Sequence, residues 1–277
     1  MGHKYFSRPL AGDANYGILE RALDSILTEL GDESNYVEYW TRQEWRSIEA
    51  HADVDEFLAK HQDAAGTDTT SSFRYPKNGH VLYLQVGSSV RGPTCLFPDR
   101  QSGGDLLRPV IGTSDSAVEV VTVPAVEGRL LRFKGDFLHA VPRPTDLWLL
   151  KFVQGAPQYE PEEEWGRSVV LFNTWSDEPP LKVSEEPPTT SNGGVETSLC
   201  KDFSEWSKVF ELNSSAGDDT CDSKDDETKN VPTKIWLLGN QRRRDYQMRT
   251  LKLSAPESIR TALFEETAVS RLFLEQS

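Results

Sequence analysis

Five histidines are present in the chain, His3, His51, His61, His80 and His139, and two of them open the same short pattern. "HAD" sets Asp53 two residues after His51, and "HQD" sets Asp63 two residues after His61. On extended backbone, residues two apart project to the same side. An His-x-Asp pair can therefore offer an imidazole nitrogen and a carboxylate oxygen to one ion. A histidine from a distant strand would complete a set of two imidazoles and one carboxylate. That set holds a divalent transition metal and leaves coordination positions open. His139, in "GRLLRFKGDFLHAVPRP", is the candidate third ligand. The pair alone carries little weight, because solvated His and Asp residues often meet by chance. Its context has to decide.

The elements that must position these residues are mostly strands. "DANYGILERALDSILTELGDES" spaces Ile18, Leu19, Leu23, Ile26, Leu27 and Leu30 as a helix does, with Asp13 or Asn15 as a cap and Gly31 as the stop. After Tyr36 the pattern shortens. "HVLYLQV", "TCLF", "VEVVTV", "RLLRF", "LWLLKFV" and "RSVVLFNTW" read as strands, with turns at "GSSVRGP" and "VEGR". Many short strands behind one helix predict an α+β protein with a sandwich or open barrel at its centre. From residue 177 to 230 the chain is rich in Pro, Ser, Asp and Glu and reads as an acidic surface excursion containing one amphipathic island, "FSEWSKVFEL". "TKIWLLGNQRRRDYQMRTLKL" then reads as a hairpin, and "APESIRTALFEETAV" as a helix start. The chain thus divides into 1–176 (core 40–175, helix 14–30), the excursion 177–230, and an extension 231–277 that packs back on the core.

Read in order, these segments resemble the 2-oxoglutarate- and iron(II)-dependent dioxygenases, most closely the prolyl 4-hydroxylase-like branch. The likeness covers residues 40 to 175. Tyr83-Leu84-Gln85, then Gly92-Pro93-Thr94 and Phe97-Pro98, match one run of the family pattern. Pro124, Gly128, Leu130, Leu131, Phe133 and His139 follow the "P-x-x-G-x-L-L-x-F" run, with one extra residue between Pro124 and Gly128, and the loop with the second metal histidine, and Arg167 opens the following strand. The resemblance implies a double-stranded β-helix (jelly roll). It implies iron(II) on His51, Asp53 and His139, with 2-oxoglutarate as cosubstrate and ascorbate left open. Arg167 would clamp the distal carboxylate of 2-oxoglutarate through two parallel hydrogen bonds. By the family pattern, Tyr83 would add a hydroxyl to that carboxylate. The implied reaction hydroxylates an amino-acid or protein side chain and releases succinate and carbon dioxide.

Rival assignments follow from spacing. His61-Asp63 lies nearer the Tyr83 strand, but it follows "DEFLAK", which reads as helical and would point the two residues apart. His80 lacks a nearby carboxylate and reads as a strand start. A long gap after His139, containing "DLWLLKFVQGAPQYEPEEEW", reads as an inserted hairpin and leaves Arg143 as a rival clamp. Cys95 reads as a buried hydrophobe. Trp148, Trp165 and Trp175 read as packing residues, and Arg242 to Arg244 as a solvated turn.

Bulk composition narrows the partners. The 277 residues carry a formal net charge of -14, which opposes binding to the phosphates of nucleic acid. Between Glu185 and Asn230 there are 12 acidic and 4 basic residues, so more than half of that excess is local. Three scattered cysteines make neither a disulfide framework nor a zinc site. No apolar stretch is long enough to span a bilayer and no signal segment is evident, so the expectation is a soluble, intracellular protein with a small-molecule or peptide substrate and no membrane partner. Two further readings stand beside the enzyme. One is a jelly-roll binding or scaffold protein without catalysis, which has no need of His51, Asp53, His139 and Arg167 together. The other is a cupin-type metal enzyme that uses no keto acid, whose usual His-x-His pair is absent.

Overall fold

The computed structural model describes residues 2–10, 16–44, 48–64, 73–87, 93–101, 117–141, 167–186, 230–236, 250–256 and 269–275. Among these, strands dominate, in two sheets with few helices. The larger sheet has the order β10-β1-β2-β9-β4-β7, built from Ser184–Glu185, Lys4–Ser7, Tyr36–Glu44, Arg167–Trp175, Asn78–Val86 and Leu130–Lys134. The smaller has the order β13-β6-β5-β8-β3, from Ser270–Glu275, Ala117–Val123, Thr94–Gln101, Phe137–Val141 and Ile48–His51. A separate hairpin pairs β11 (Asn230–Trp236) with β12 (Thr250–Pro256). The helices among the described residues are α1 (Ile18–Glu29) and α2 (Glu56–Ala64).

Strand β9 explains how the layers stack. Its "RSVVLFNTW" run is apolar on both faces, as a strand covered on both sides requires. Val170 and Phe172 join Val37, Tyr39 and Phe6 beneath Leu23, Ile26 and Leu27 of α1. Val169, on the opposite face, joins Val81, Tyr83 and Leu131 of its own sheet and Leu96, Val121 and Val123 of the other. The order through the molecule is therefore helix, large sheet, small sheet. Burying each large apolar side chain of α1 contributes about 1.5–3 kcal/mol, which fixes the helix on the outer face.

The helix is shorter than its sequence pattern. Its N-cap is Gly17, which supplies no side-chain cap, and Asp13 and Asn15 lie outside the described residues. The stop falls where Gly31 puts it: its φ of +63° lets the Gly31 and Asp32 amides donate to the Thr28 and Leu27 carbonyls (3.1 and 2.8 Å).

The expected strands at residues 80–86, 94–97, 118–123 and 167–175 fall on strands, and the one expected at 129–133 begins one residue later, at Leu130. "LWLLKFV", the inserted segment around it, "FSEWSKVFEL", Arg143, Trp148, Trp165 and Arg242 to Arg244 lie outside the described residues. Ala255, where the sequence suggests a helix start, instead lies in β12. Near the C-terminus, β13 pairs antiparallel with β6 along the edge of the small sheet.

Candidate metal centre

Two neighbouring strands of the small sheet deliver the histidines. His51 is the last residue of β3 and His139 the middle of β8, and the two are directly opposite in the antiparallel register. Their rings lie 4.2 Å apart between centroids, tilted by 50°. The loop expected around His139 is thus a strand. It follows a tight turn that carries the chain from β7 in the large sheet to β8 in the small one, in which the Gly135 amide donates to the Lys77 carbonyl (3.2 Å). A Cβ on Gly135 would lie 2.0 Å from the Pro76 carbonyl oxygen, so the close approach that aims this turn needs glycine.

Asp53 follows β3 and brings Oδ1 to 3.8 Å from His51 Nε2. One ligand atom from each of His51, Asp53 and His139 lies within 4.8 Å of the others, and all three residues are half-buried. Donors bound to one ion at about 2.1 Å sit closer together than this, so metal would draw the three inward. The donor set fits a divalent transition metal, with two neutral-imidazole sites and one carboxylate. His139 Nδ1–H donates to the Phe137 carbonyl (3.2 Å), which leaves Nε2 with its lone pair.

Electrostatics agree with that assignment. Burial, aided by His51, pushes the His139 pKa down to about 4, so its imidazole is neutral at pH 7. Burial alone would raise the Asp53 carboxyl. As the site is acidified, attraction to positive charge on His139 and His51, with the Asn173 side-chain amide and His3, outweighs it and holds Asp53 below the ordinary carboxylate value. A metal site needs both groups in these forms.

The triad lines a cavity of about 200 Å³ between the sheets. Arg167, first residue of β9 and 5% exposed, lines the same cavity. Its guanidinium carbon lies 5.9 Å from the centroid of the Tyr83 ring. Tyr83 is fully buried, and its hydroxyl is bonded to Thr94 Oγ1 at 2.7 Å. Thr94, from β5, is the member of that pair that reaches the cavity wall. The expected Tyr83 hydroxyl therefore stands behind Thr94.

Among the described residues, neither rival histidine joins the triad, although His80 borders the same cavity. His61 belongs to α2, where its ring packs on Phe57 at 4.4 Å, and the side chain of Asp63 lies outside the described residues. His80 is opposite Phe172 in the register and stacks on its ring at 4.3 Å and 2°. Phe172 belongs to the core under α1, which puts the His80 ring in the helix-facing layer. Cys95 is 2% exposed, and burial pushes its thiol up to about 12.

Sequence reading missed Thr94 as a wall residue, and it missed a polar end of the cavity. There His3 Nδ1 is 2.7 Å from Glu38 Oε1, and the His3 ring stacks on Trp40 at 4.2 Å. Polar residues alternating with apolar ones on one strand face, such as Glu38 beside Trp40 on β2 and Asn173 beside Leu171 on β9, were the available signal. Against protein families, curated proteins and solved structures, the chain matches none.

Proposed function

We propose that the chain is an iron(II)- and 2-oxoglutarate-dependent dioxygenase that hydroxylates an amino-acid or protein side chain. The observation that carries this reading is the sharing of one inter-sheet cavity by His51, Asp53, His139 and the buried Arg167. We read strands β2 to β9 as a jelly roll. Counted one to eight, they fall in the orders 1-8-3-6 and 5-4-7-2 in the two sheets, as two Greek keys folded together would give.

In this reading His51, Asp53 and His139 hold iron(II), which with 2-oxoglutarate supplies dioxygen activation and yields succinate and carbon dioxide. Each side chain then has one task. Arg167 is a permanent cation in a low-dielectric wall, so it selects a dicarboxylate end by charge and by its planar fork. Tyr83 fixes the Thr94 hydroxyl beside it, and Thr94 takes the role expected of Tyr83. Val81, Val169 and Leu138 keep the cavity between triad and clamp apolar, which strengthens both interactions. The Phe137 carbonyl keeps His139 in a single tautomer.

The test is turnover. Iron-loaded protein in air should convert 2-oxoglutarate to succinate, slowly without its substrate, and His139→Ala should abolish the conversion. A folded, iron-loaded protein that makes no succinate above free iron would reject the dioxygenase reading. Iron binding without 2-oxoglutarate binding would favour the cupin-type alternative.

A further inference from the structure

Directly beneath the triad, three residues stand in one row across adjacent strands of the large sheet. Asn173 of β9 is opposite Gly79 of β4, and Gly79 is opposite Phe133 of β7. The two outer members each bear on a different ligand. The Asn173 side chain lines the same cavity wall as Asp53, and its amide favours the ionised Asp53 carboxylate. The Phe133 ring lies 4.8 Å from that of His139, tilted by 53°.

Gly79 is what lets them do so. A Cβ there would be 2.7 and 2.8 Å from two Phe133 ring atoms and 3.4 Å from Asn173 Oδ1. The ring occupies the space a side chain would take, and the amide borders it. The row is a wall with a deliberate gap.

The orientation of Asn173 follows from its partner. An ionised carboxylate only accepts hydrogen bonds, so Asn173 must present its NH₂ group to Asp53. Its Oδ1 is then left buried, with no partner among the described residues, in a side chain only 3% exposed. An asparagine placed for folding alone would have its acceptor satisfied, because a buried orphan acceptor weakens the fold. Aiming Asp53 accounts for the arrangement.

We propose that Asn173 is the positioning residue of the metal centre, holding Asp53 in its ligating orientation from a support row completed by Gly79 and Phe133. This inference rests on reading the triad as a metal centre. It goes further by naming the group that sets one ligand's geometry.

Cobalt(II) titration without oxygen tests it, followed by the visible absorption of the bound ion. Asn173→Leu keeps the volume and removes both the donor and the orphan acceptor. It should weaken cobalt affinity roughly 10- to 100-fold, while the thermal midpoint of the metal-free protein holds or rises. In an Asp53→Ala background the same change should alter affinity by no more than about twofold, because its route through Asp53 is gone. Should Asn173→Leu fail to fold, Asn173→Ser, whose hydroxyl is too short to reach, is read the same way. Unchanged cobalt affinity in the Asn173 variants would overturn the proposal and leave the metal centre standing. So would equal losses with and without Asp53, or a fall in stability that accounts for the loss of binding. A parent chain that binds no cobalt would overturn both.

Discussion

His80 is held neutral inside the protein, and acid should expose that as a loss of stability. The side chain is 2% exposed, stacked flat on Phe172, with Nδ1–H donating to the Phe172 carbonyl at 3.2 Å. Burial, with the nearby Arg132 cation, depresses its pKa from 6.5 to about 3, only partly opposed by that carbonyl and by Asp32. A folded-state pKa below the unfolded one means stability is fully present above pH 6.5 and is lost as pH falls toward 3. Below pH 6.5 the unfolded chain binds a proton that the folded chain refuses. Each pH unit in that window removes about 1.4 kcal/mol, so moving from pH 7 to pH 5 removes about 2 kcal/mol. For a protein of this size that is about 4–8 °C in thermal midpoint. His80→Gln keeps a donor for the carbonyl but cannot titrate. Urea unfolding of parent and variant at pH 7 and pH 5 isolates the effect, since every other group is common to both. The parent should lose about 2 kcal/mol more than the variant. Parallel losses would mean His80 is not in the layer under α1, and the β4 register that points Val81 and Tyr83 toward the cavity would be wrong.

Other consequences are direct. Arg167→Lys keeps the charge but loses the planar fork, so 2-oxoglutarate affinity should fall about 10- to 100-fold by competition titration, with metal affinity unchanged. Gly135→Ala drives a methyl into the Pro76 carbonyl, where backbone must yield, and should cost about 1–3 kcal/mol or more in denaturant unfolding. Leu23→Ala, on the fully buried face of α1, should cost about 2–5 kcal/mol while the folded fraction binds metal as the parent does.

The sequence was most legible where one physical rule acted alone. Strand β9 declared itself because Val169, Val170, Leu171 and Phe172 make a short continuous apolar run that opens on two β-branched residues, and Gly31 marked the end of α1 because the helix stop needs a positive φ. Strand β8 was harder to read. "FLHAV" is five residues long, sits behind "KGD", and is a strand only because β3 and β5 flank it. The helix cap was misjudged because Asp and Asn are good caps in general, while the start of α1 is fixed by how its apolar face meets β2 and β9.

The metal triad could be proposed from residue types and order, since its chemistry needs those donors. Its support could not. Asn173 and Thr94 act by facing the cavity, and that depends on register between strands far apart in the chain. The displacement of Tyr83 behind Thr94 is of the same kind. A pattern placed the tyrosine on the right strand, but the 2.7 Å bond that turns its hydroxyl to Thr94 is tertiary.

One titration bears most directly on the central claim. Purified protein is loaded with iron(II) without oxygen, 2-oxoglutarate is added, and the weak visible charge-transfer absorption of a chelated keto acid is followed. The account predicts a saturable band in the parent, no band in His139→Ala, and a band needing much more 2-oxoglutarate in Arg167→Lys. A folded, iron-loaded parent that shows no band at saturating 2-oxoglutarate would contradict it.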